Sequence, residues 1–161
     1  GAVLEVAAGT GRNLPYYPPH VTITLCDISL GMLKQADRSA RRPGPPAAFV
    51  AADAETLPFA DGSFDTVLCS LSLCTIPDPV AVLREMKRLL RPGGRILLLE
   101  HVLSPLRPIA WLQHRLSPVN VRRVGCHLDR DASRYVNTAG LTIVERESHI
   151  LGLLQLIVAA P

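Results

Sequence analysis

The chain has 161 residues, 48% of them hydrophobic and 19% charged, with a formal net charge of +3. That length and composition suit one domain with a substantial core and exclude a disordered or fibrous chain. No run reaches the roughly 18 uninterrupted apolar residues of a membrane span, and the basic residues are scattered rather than gathered into a stripe for nucleic acid.

Apolar runs alternate with helical patterns along the chain. "AVLEVA" (2–7) predicts a buried strand that runs into a turn of small residues, Ala7, Ala8, Gly9, Thr10 and Gly11. "VTITLCDI" (21–28), rich in β-branched residues, predicts a second strand. Ser29 is placed to cap a helix through Met32, Leu33 and Ala36 that stops near "RRPGPP" (41–46). "AAFVAAD" (47–53) and "FDTVLCSLSL" (64–73) predict the third and fourth strands. Asp78 before Pro79 marks a helix start. That helix carries Val82, Leu83, Met86, Leu89 and Leu90 at helical spacing and ends at "RPGG" (91–94), before a fifth strand, "RILLLEHV" (95–102). Residues 101–128 show no clear strand and carry Trp111, several prolines, Arg107, Arg115, Arg122 and Arg123; they lie where a substrate cover belongs. "DRDASRYVNTAG" (129–140) predicts a short helix with Asp129 or Asp131 as cap and Gly140 as terminator. "LTIVERES" (141–148) and "LQLIVAA" (154–160) predict the last two strands.

This alternation predicts a mostly parallel sheet covered on both faces. The short helix-free link "HILGL" (149–153) makes the last two strands antiparallel neighbours. The cysteines, Cys26, Cys69, Cys74 and Cys126, form no CxxC pair and no ligand pair at zinc spacing. They predict reduced, partly buried thiols in a cytoplasmic protein, and no metal. No secretory signal is visible, and the chain opens at Gly1 inside an apolar run, as a fragment would.

The glycine turn raises the question of a ligand, because ligands of open α/β sheets bind beyond the carboxyl ends of the strands. A dinucleotide G-x-G-x-x-G fails in both registers: its last glycine falls on Leu14 counted from Gly9, and on Arg12 counted from Ala7. The Gly-Lys-Ser/Thr of a phosphate loop is absent. Glu5, Asp27 and Asp53 instead stand at the ends of three successive strands. A carboxylate at Asp27 accepts both hydroxyls of a ribose. One at Asp53 reads an exocyclic amine, with small Ala54 leaving room for a flat ring. A ligand with a ribose, an amino-bearing base and a cationic group, but no phosphate, matches S-adenosylmethionine.

At this point the residues resemble a known family. "LEVAAGTG", "LCDISLGML", "ADAETLPFADGSFDTVLCS" and "LREMKRLLRPGGRILLLEH" occur in the order found in class I S-adenosylmethionine-dependent methyltransferases of the small-molecule type. That group includes the ubiquinone/menaquinone C-methyltransferases and the methyltransferase-like thiol methyltransferases. The resemblance implies a Rossmann-like, doubly wound α/β sheet of seven strands in the order 3-2-1-4-5-7-6, with the seventh antiparallel. It implies a single methyltransferase domain over residues 1–161. A helix before the first strand helps close the family's pocket and is expected to be missing from this chain.

The resemblance also implies roles. Glu5 would hold the methionyl ammonium, while Ala7, Gly9 and Gly11 let the backbone pass under the methionine part. Asp27 would bind the ribose, Ile28 the adenine face, and Asp53 and Ala54 the adenine edge. Cys69, Ser70 and Leu71 would line the pocket near the reacting methyl. Ala7 stands where the family has its first glycine, a change that a negative φ at this position accommodates.

His101 follows Glu100 at the end of the fifth strand and is expected to point to the site, where it would orient or deprotonate the acceptor. His127, Tyr16 and Tyr17 are further side chains within reach, and Cys126 is a weaker candidate as a nucleophile. The expected acceptor is a small, largely apolar molecule bearing a thiol, amine or activated carbon, rather than nucleic acid or protein. A lipid-like acceptor would bring the cover segment to a membrane surface. Two other readings stay open: a cofactor-binding but non-catalytic module or partner subunit, and a nicotinamide-dependent reductase, against which the broken glycine fingerprint argues.

Overall fold

The computed structural model describes residues 1–40 and 44–161. β1 (Ala2–Val6), β2 (Thr22–Asp27), β3 (Ala47–Ala51), β4 (Phe64–Ser70), β5 (Leu90–His101), β6 (Thr142–His149) and β7 (Leu154–Ala160) form one sheet in the order β3-β2-β1-β4-β5-β7-β6. The β1–β2, β1–β4, β2–β3 and β4–β5 pairs are parallel, whereas β7 runs antiparallel to both β5 and β6. This is the expected seven-stranded order. Its central feature is the reversal of strand order between β1 and β4, which leaves a crevice at their carboxyl ends.

Alternation along the strands divides the core. Leu4, Val6, Val67, Ile96 and Leu98 face Val82, Leu83, Met86 and Leu89 of α2 (Pro79–Leu89) and Ala132 and Val136 of α4 (Ala132–Thr138). Val3, Ile23 and Leu25 on the other face meet Ala36 of α1 (Leu30–Ala40). On that second face Leu68, Leu97, Leu99 and Val158 are only half-buried, and Leu156 is 37% exposed. The expected covering of both faces is therefore fullest over β1 and the middle of β2, and partial over the edge strand β3 and over β4, β5 and β7.

The predicted caps form. The Ser29 Oγ accepts from Met32 N–H at 3.3 Å, and Asp78 Oδ1 accepts from both Val80 and Ala81 N–H at 3.0 Å. Of the two candidates for α4, Asp131 is the cap, accepting from Arg134 N–H at 3.1 Å. Asp129 instead accepts from Ser117 Oγ at 2.6 Å. The stop of α1 in "RRPGPP" falls partly on residues 41–43, outside the described residues.

Several boundaries move. β3 ends at Ala51, so Asp53 lies in the following turn rather than in the strand. β4 ends at Ser70, because Leu71 takes a left-handed φ of 53°. β5 begins at Leu90 and absorbs "RPGG", since Leu90 pairs with Phe64 across an irregularity in register before the regular ladder starts at Arg95. The long segment expected to lack strands is helical: α3 spans Arg107–Val124, with Pro118 inside it and Gly125 in the left-handed region at its end. Among the described residues, no helix is long and apolar enough to cross a membrane.

Ala7 departs from its expected negative φ: it sits at +53°. A Cβ there crowds the backbone by about 1–2 kcal/mol, only partly offset by the smaller chain entropy that alanine loses on folding compared with glycine. Ala7→Gly is predicted to stabilise the fold by a few tenths to about 1 kcal/mol, read as a higher midpoint in urea at unchanged slope; a lower midpoint contradicts the strain.

Candidate functional site

A cavity of about 500 Å³ opens beyond the carboxyl ends of β1, β2 and β3. Its wall includes Ala7, Gly9, Asp27, Ile28, Asp53 and Ala54, together with Met32, Glu55, Ser72 and Ile76. Chain order explains the gathering: parallel strands deliver their carboxyl ends to one edge, and β2, β1 and β4 are neighbours.

Asp27 organises this wall. Its Oδ2 accepts from Gly9 N–H and its Oδ1 from Ser29 N–H, both at 2.8 Å. These bonds tie the turn after β1 to the start of α1. Each carboxylate oxygen has a second lone pair, so Asp27 keeps acceptor capacity for two more donors, as the hydroxyls of a ribose require. Gly9 holds φ +56°, and a Cβ there would meet no atom within 4 Å; the glycine serves conformation and leaves space on the cavity side. Asp53 is exposed, and its Oδ1 accepts from Glu55 N–H at 2.9 Å. Ile28 is 74% exposed at the rim, an apolar side chain without protein cover.

Glu5 lies beneath the turn and off the wall. It is 2% exposed, and its two oxygens accept from Asn13 Nδ2 and the Tyr17 hydroxyl, each at 2.7 Å. Burial raises its pKa, against the lowering effect of those two bonds. Tyr17 thus acts through Glu5, while Tyr16 is 85% exposed. Gly11 is a packing glycine: a Cβ would come within 2.9 Å of Leu14 Cδ1 and 3.0 Å of Ala36 Cβ. It borders a separate cavity of about 520 Å³ that also touches Arg12 and Gln35 and, among the described residues, has no carboxylate on its wall.

The structure does not bring Cys69, Ser70 or Leu71 onto the wall of the Asp27 cavity. Cys69 is fully buried, its Sγ 3.8 Å from Glu100 Oε1, because the alternation of β4 turns it into the core. Ser72 takes the wall position instead. Its N–H and that of Leu73 donate to Glu100 Oε1 at 3.0 and 3.1 Å, and its hydroxyl donates to Ser70 O at 2.9 Å. Burial raises the Glu100 pKa to about 7, although the two N–H bonds lower it. Its other oxygen is buried with no hydrogen-bond partner among the described residues, which costs less for the neutral acid than for the charged carboxylate. Sequence reasoning missed Glu100 as an anchor; a carboxylate closing the apolar run "RILLLE" was the available signal.

His101 is turned away from the cavity wall. Its Nε2 lies 3.1 Å from Cys126 Sγ, and burial lowers its pKa. His127 donates its N–H to Cys74 O at 3.0 Å. Cys74, His101 and Cys126 form a cluster whose ligand atoms all lie within 4.8 Å of one another.

The cover segment is held by polar contacts. Gln113 Nε2 donates to the carbonyls of Val102 and Leu128 at 2.9 and 2.8 Å, and its Oε1 accepts from Ser104 N–H at 2.8 Å. Ser117 is the buried residue of α3, so the apolar side chains Trp111, Leu112, Leu116 and Val119 stay exposed. Arg115 lies over the Trp111 ring at 5.6 Å from its centroid.

A methyltransferase domain family matches residues 4–98. The chain is 46% identical over 107 residues to the demethylmenaquinone methyltransferase of Paenarthrobacter aurescens (strain TC1), an alignment covering 65% of this chain and 41% of that protein. It is 33% identical over 151 residues to thiol S-methyltransferase TMT1B of Homo sapiens, covering 91% and 62%. It is 33% identical over 148 residues to the phosphatidylethanolamine N-methyltransferase of Cereibacter sphaeroides, covering 91% and 72%. A SAM-dependent methyltransferase of Methanosarcina mazei superposes with a TM-score of 0.77 at 21% identity, covering 98% of this chain and 91% of that one. The chain spans about half the length of the first curated relatives it matches. With the matched strands, the glycine turn and the acids at the strand ends all in place, the chain belongs to the class I S-adenosylmethionine-dependent methyltransferases.

Proposed function

We propose that the Asp27 cavity binds S-adenosylmethionine and that the chain directs its methyl group to a small, largely apolar acceptor bearing a thiol, amine or activated carbon. The convergence of Ala7, Gly9, Asp27, Ile28, Asp53 and Ala54 on one cavity carries this reading. The donor set fits the cofactor: remaining lone pairs on Asp27 for ribose hydroxyls, Asp53 for an amine, exposed Ile28 and small Ala54 for a flat ring. When bound, the cofactor supplies a methyl already activated on a sulfonium, so the protein's part is to orient and desolvate. Asp27 and Gly9 shape the ribose end, because their hydrogen bond fixes the glycine turn against the carboxylate. Glu5, beneath the turn, supplies the negative charge for the ammonium.

His101 is not needed as a base in this account, since its Nε2 is engaged with Cys126. The acceptor side falls to the loop at Ser72 and to the cover segment 101–128. Exposed Trp111, Leu112 and Leu116 beside Arg115, on a helix with no acidic residue, favour a lipid-like or otherwise apolar acceptor met at a membrane surface. The three relatives are named for acting on a quinone precursor, a thiol and a phospholipid, which supports a small-molecule acceptor without choosing the accepting atom.

Calorimetric titration tests the cofactor. Asp27→Ala is predicted to weaken S-adenosylmethionine by roughly 1–3 kcal/mol, about 5- to 150-fold, through lost acceptors for buried hydroxyls. Unchanged affinity, or binding of NADH instead, contradicts the assignment. Affinity is also predicted to rise with pH. The ammonium needs Glu5 ionised, and burial places that ionisation above the ordinary carboxylate range; binding therefore weakens as pH falls through the raised pKa. Glu5→Gln should bind more weakly and lose that pH dependence, and a pH profile unaltered by the substitution contradicts the role. For the acceptor, a methylation assay should label an alkyl thiol, a quinone precursor or phosphatidylethanolamine; labelling confined to RNA or histones overturns the small-molecule reading.

A further inference from the structure

Cys74, His101 and Cys126 come from three separate pieces of the chain, so no spacing in the sequence marks them as a set. Cys74 is buried in the loop after β4, His101 ends β5, and Cys126 follows the Gly125 that terminates α3. Each is held by backbone bonds independent of its side chain. The loop at Cys74 is anchored through Ser72 and Leu73 on Glu100, and its carbonyl accepts from His127 N–H at 3.0 Å. The carbonyl of Cys126 accepts from Asn120 Nδ2 at 2.7 Å. His101 is fixed in the ladder opposite Leu154. The two sulfurs and the ring nitrogen lie within 4.8 Å of one another, with Nε2 and the Cys126 Sγ at 3.1 Å.

Tetrahedral zinc, with bonds of about 2.3 Å to sulfur and about 2.0 Å to nitrogen, sets neighbouring ligand atoms roughly 3.4–3.8 Å apart. The observed separations, 3.1 Å for His101 Nε2 to Cys126 Sγ and no more than 4.8 Å for the others, bracket that spacing. Its donors are soft, two thiols and an imidazole with no carboxylate among them, which selects zinc over magnesium or calcium. Two thiolates and a neutral imidazole balance the 2+ charge, and both thiol protons leave to solvent as the Zn–S bonds form.

We propose that Cys74, His101 and Cys126 form a zinc site with three protein ligands, its fourth position open to water or an exogenous thiolate. Three ligands with an open position are the arrangement of catalytic rather than purely structural zinc. Cys74 sits between Ser72 and Ile76, which line the Asp27 cavity. Zinc here would also clasp the end of α3 to the edge of the sheet. The inference does not depend on the proposed cofactor or acceptor.

The test is metal binding by the chain after reduction with a phosphine and removal of metal. Zinc is titrated against a colorimetric chelator, and cobalt(II) reports geometry and sulfur ligation by its absorption. One equivalent of zinc is expected, with a thiolate-to-cobalt charge-transfer band, visible bands of tetrahedral intensity and a raised unfolding midpoint. Cys126→Ser and His101→Gln, both at half-buried positions, should each weaken zinc at least tenfold, and Cys74→Ser likewise. Cys26→Ser should retain full binding. Zinc should also shield Cys126, the half-buried thiol of the set, from alkylation mapped by mass spectrometry, a readout that needs no variant. Substoichiometric uptake by the reduced chain, a cobalt spectrum without a thiolate band, or equal binding by Cys126→Ser and the unaltered chain overturns the proposal. So does the finding that Cys74 and Cys126 pair only with each other as a disulfide and take up no metal once reduced.

Discussion

The architecture of the candidate site rests on one carboxylate holding two backbone N–H groups. Asp27, the last residue of β2, accepts from Gly9 in the turn after β1 and from Ser29 at the start of α1. Backbone donors at such turns have no partner within a strand or helix, and leaving them buried and unpaired costs about 1–3 kcal/mol each. Asp27 satisfies both at once and so fixes how far the glycine turn stands from the neighbouring strand. The sheet order makes this possible, since β1 and β2 are parallel neighbours that end in register. The cavity follows from the topology and from this one side chain.

Glu100 does the corresponding work one layer across. At the end of β5 it is 1% exposed and accepts the N–H groups of Ser72 and Leu73, which shapes the loop after β4. A buried carboxylate is costly unless its charge is met or removed. Here two N–H donors meet one oxygen, while burial lifts the pKa to about 7 and favours the neutral acid. The same loop carries Ser72 to the cavity wall and Cys74 to the sulfur-rich cluster behind it. The placing of Ser72 and Cys74 therefore depends on a residue that lines neither cavity.

Much of this was legible in the sequence. The alternation of apolar runs, the caps at Ser29 and Asp78 and the helix-free link at 149–153 specify elements by local chemistry, and those elements form. Asp27 and Asp53 stood out in the sequence as acids following apolar runs, and the structure sets both on the wall of one cavity. What local reading missed depended on distant partners. Leu90–Gly94 extends a strand only because Phe64 lies opposite Leu90. Ala7 occupies left-handed space because the turn requires it, against alanine's own preference. Gly11 combines a left-handed φ of +69° with the close approach of Leu14 and Ala36, and the second demand is invisible in a turn motif. Position on a strand put Cys69 in the core and His101 beside Cys126, where the order of residues alone suggested a pocket wall and a base.

The central proposal is that the cavity at Asp27 is the nucleoside site and that the cavity beside Gly11 is not. A crystal structure of the chain with S-adenosylhomocysteine, the demethylated product, tests it directly. The account predicts the ribose hydroxyls on the Asp27 carboxylate, with the Gly9 and Ser29 N–H bonds kept, and the adenine between Ile28 and Ala54. A nucleoside lodged beside Gly11, Arg12 and Gln35, with Asp27 making no contact to it, would contradict the account.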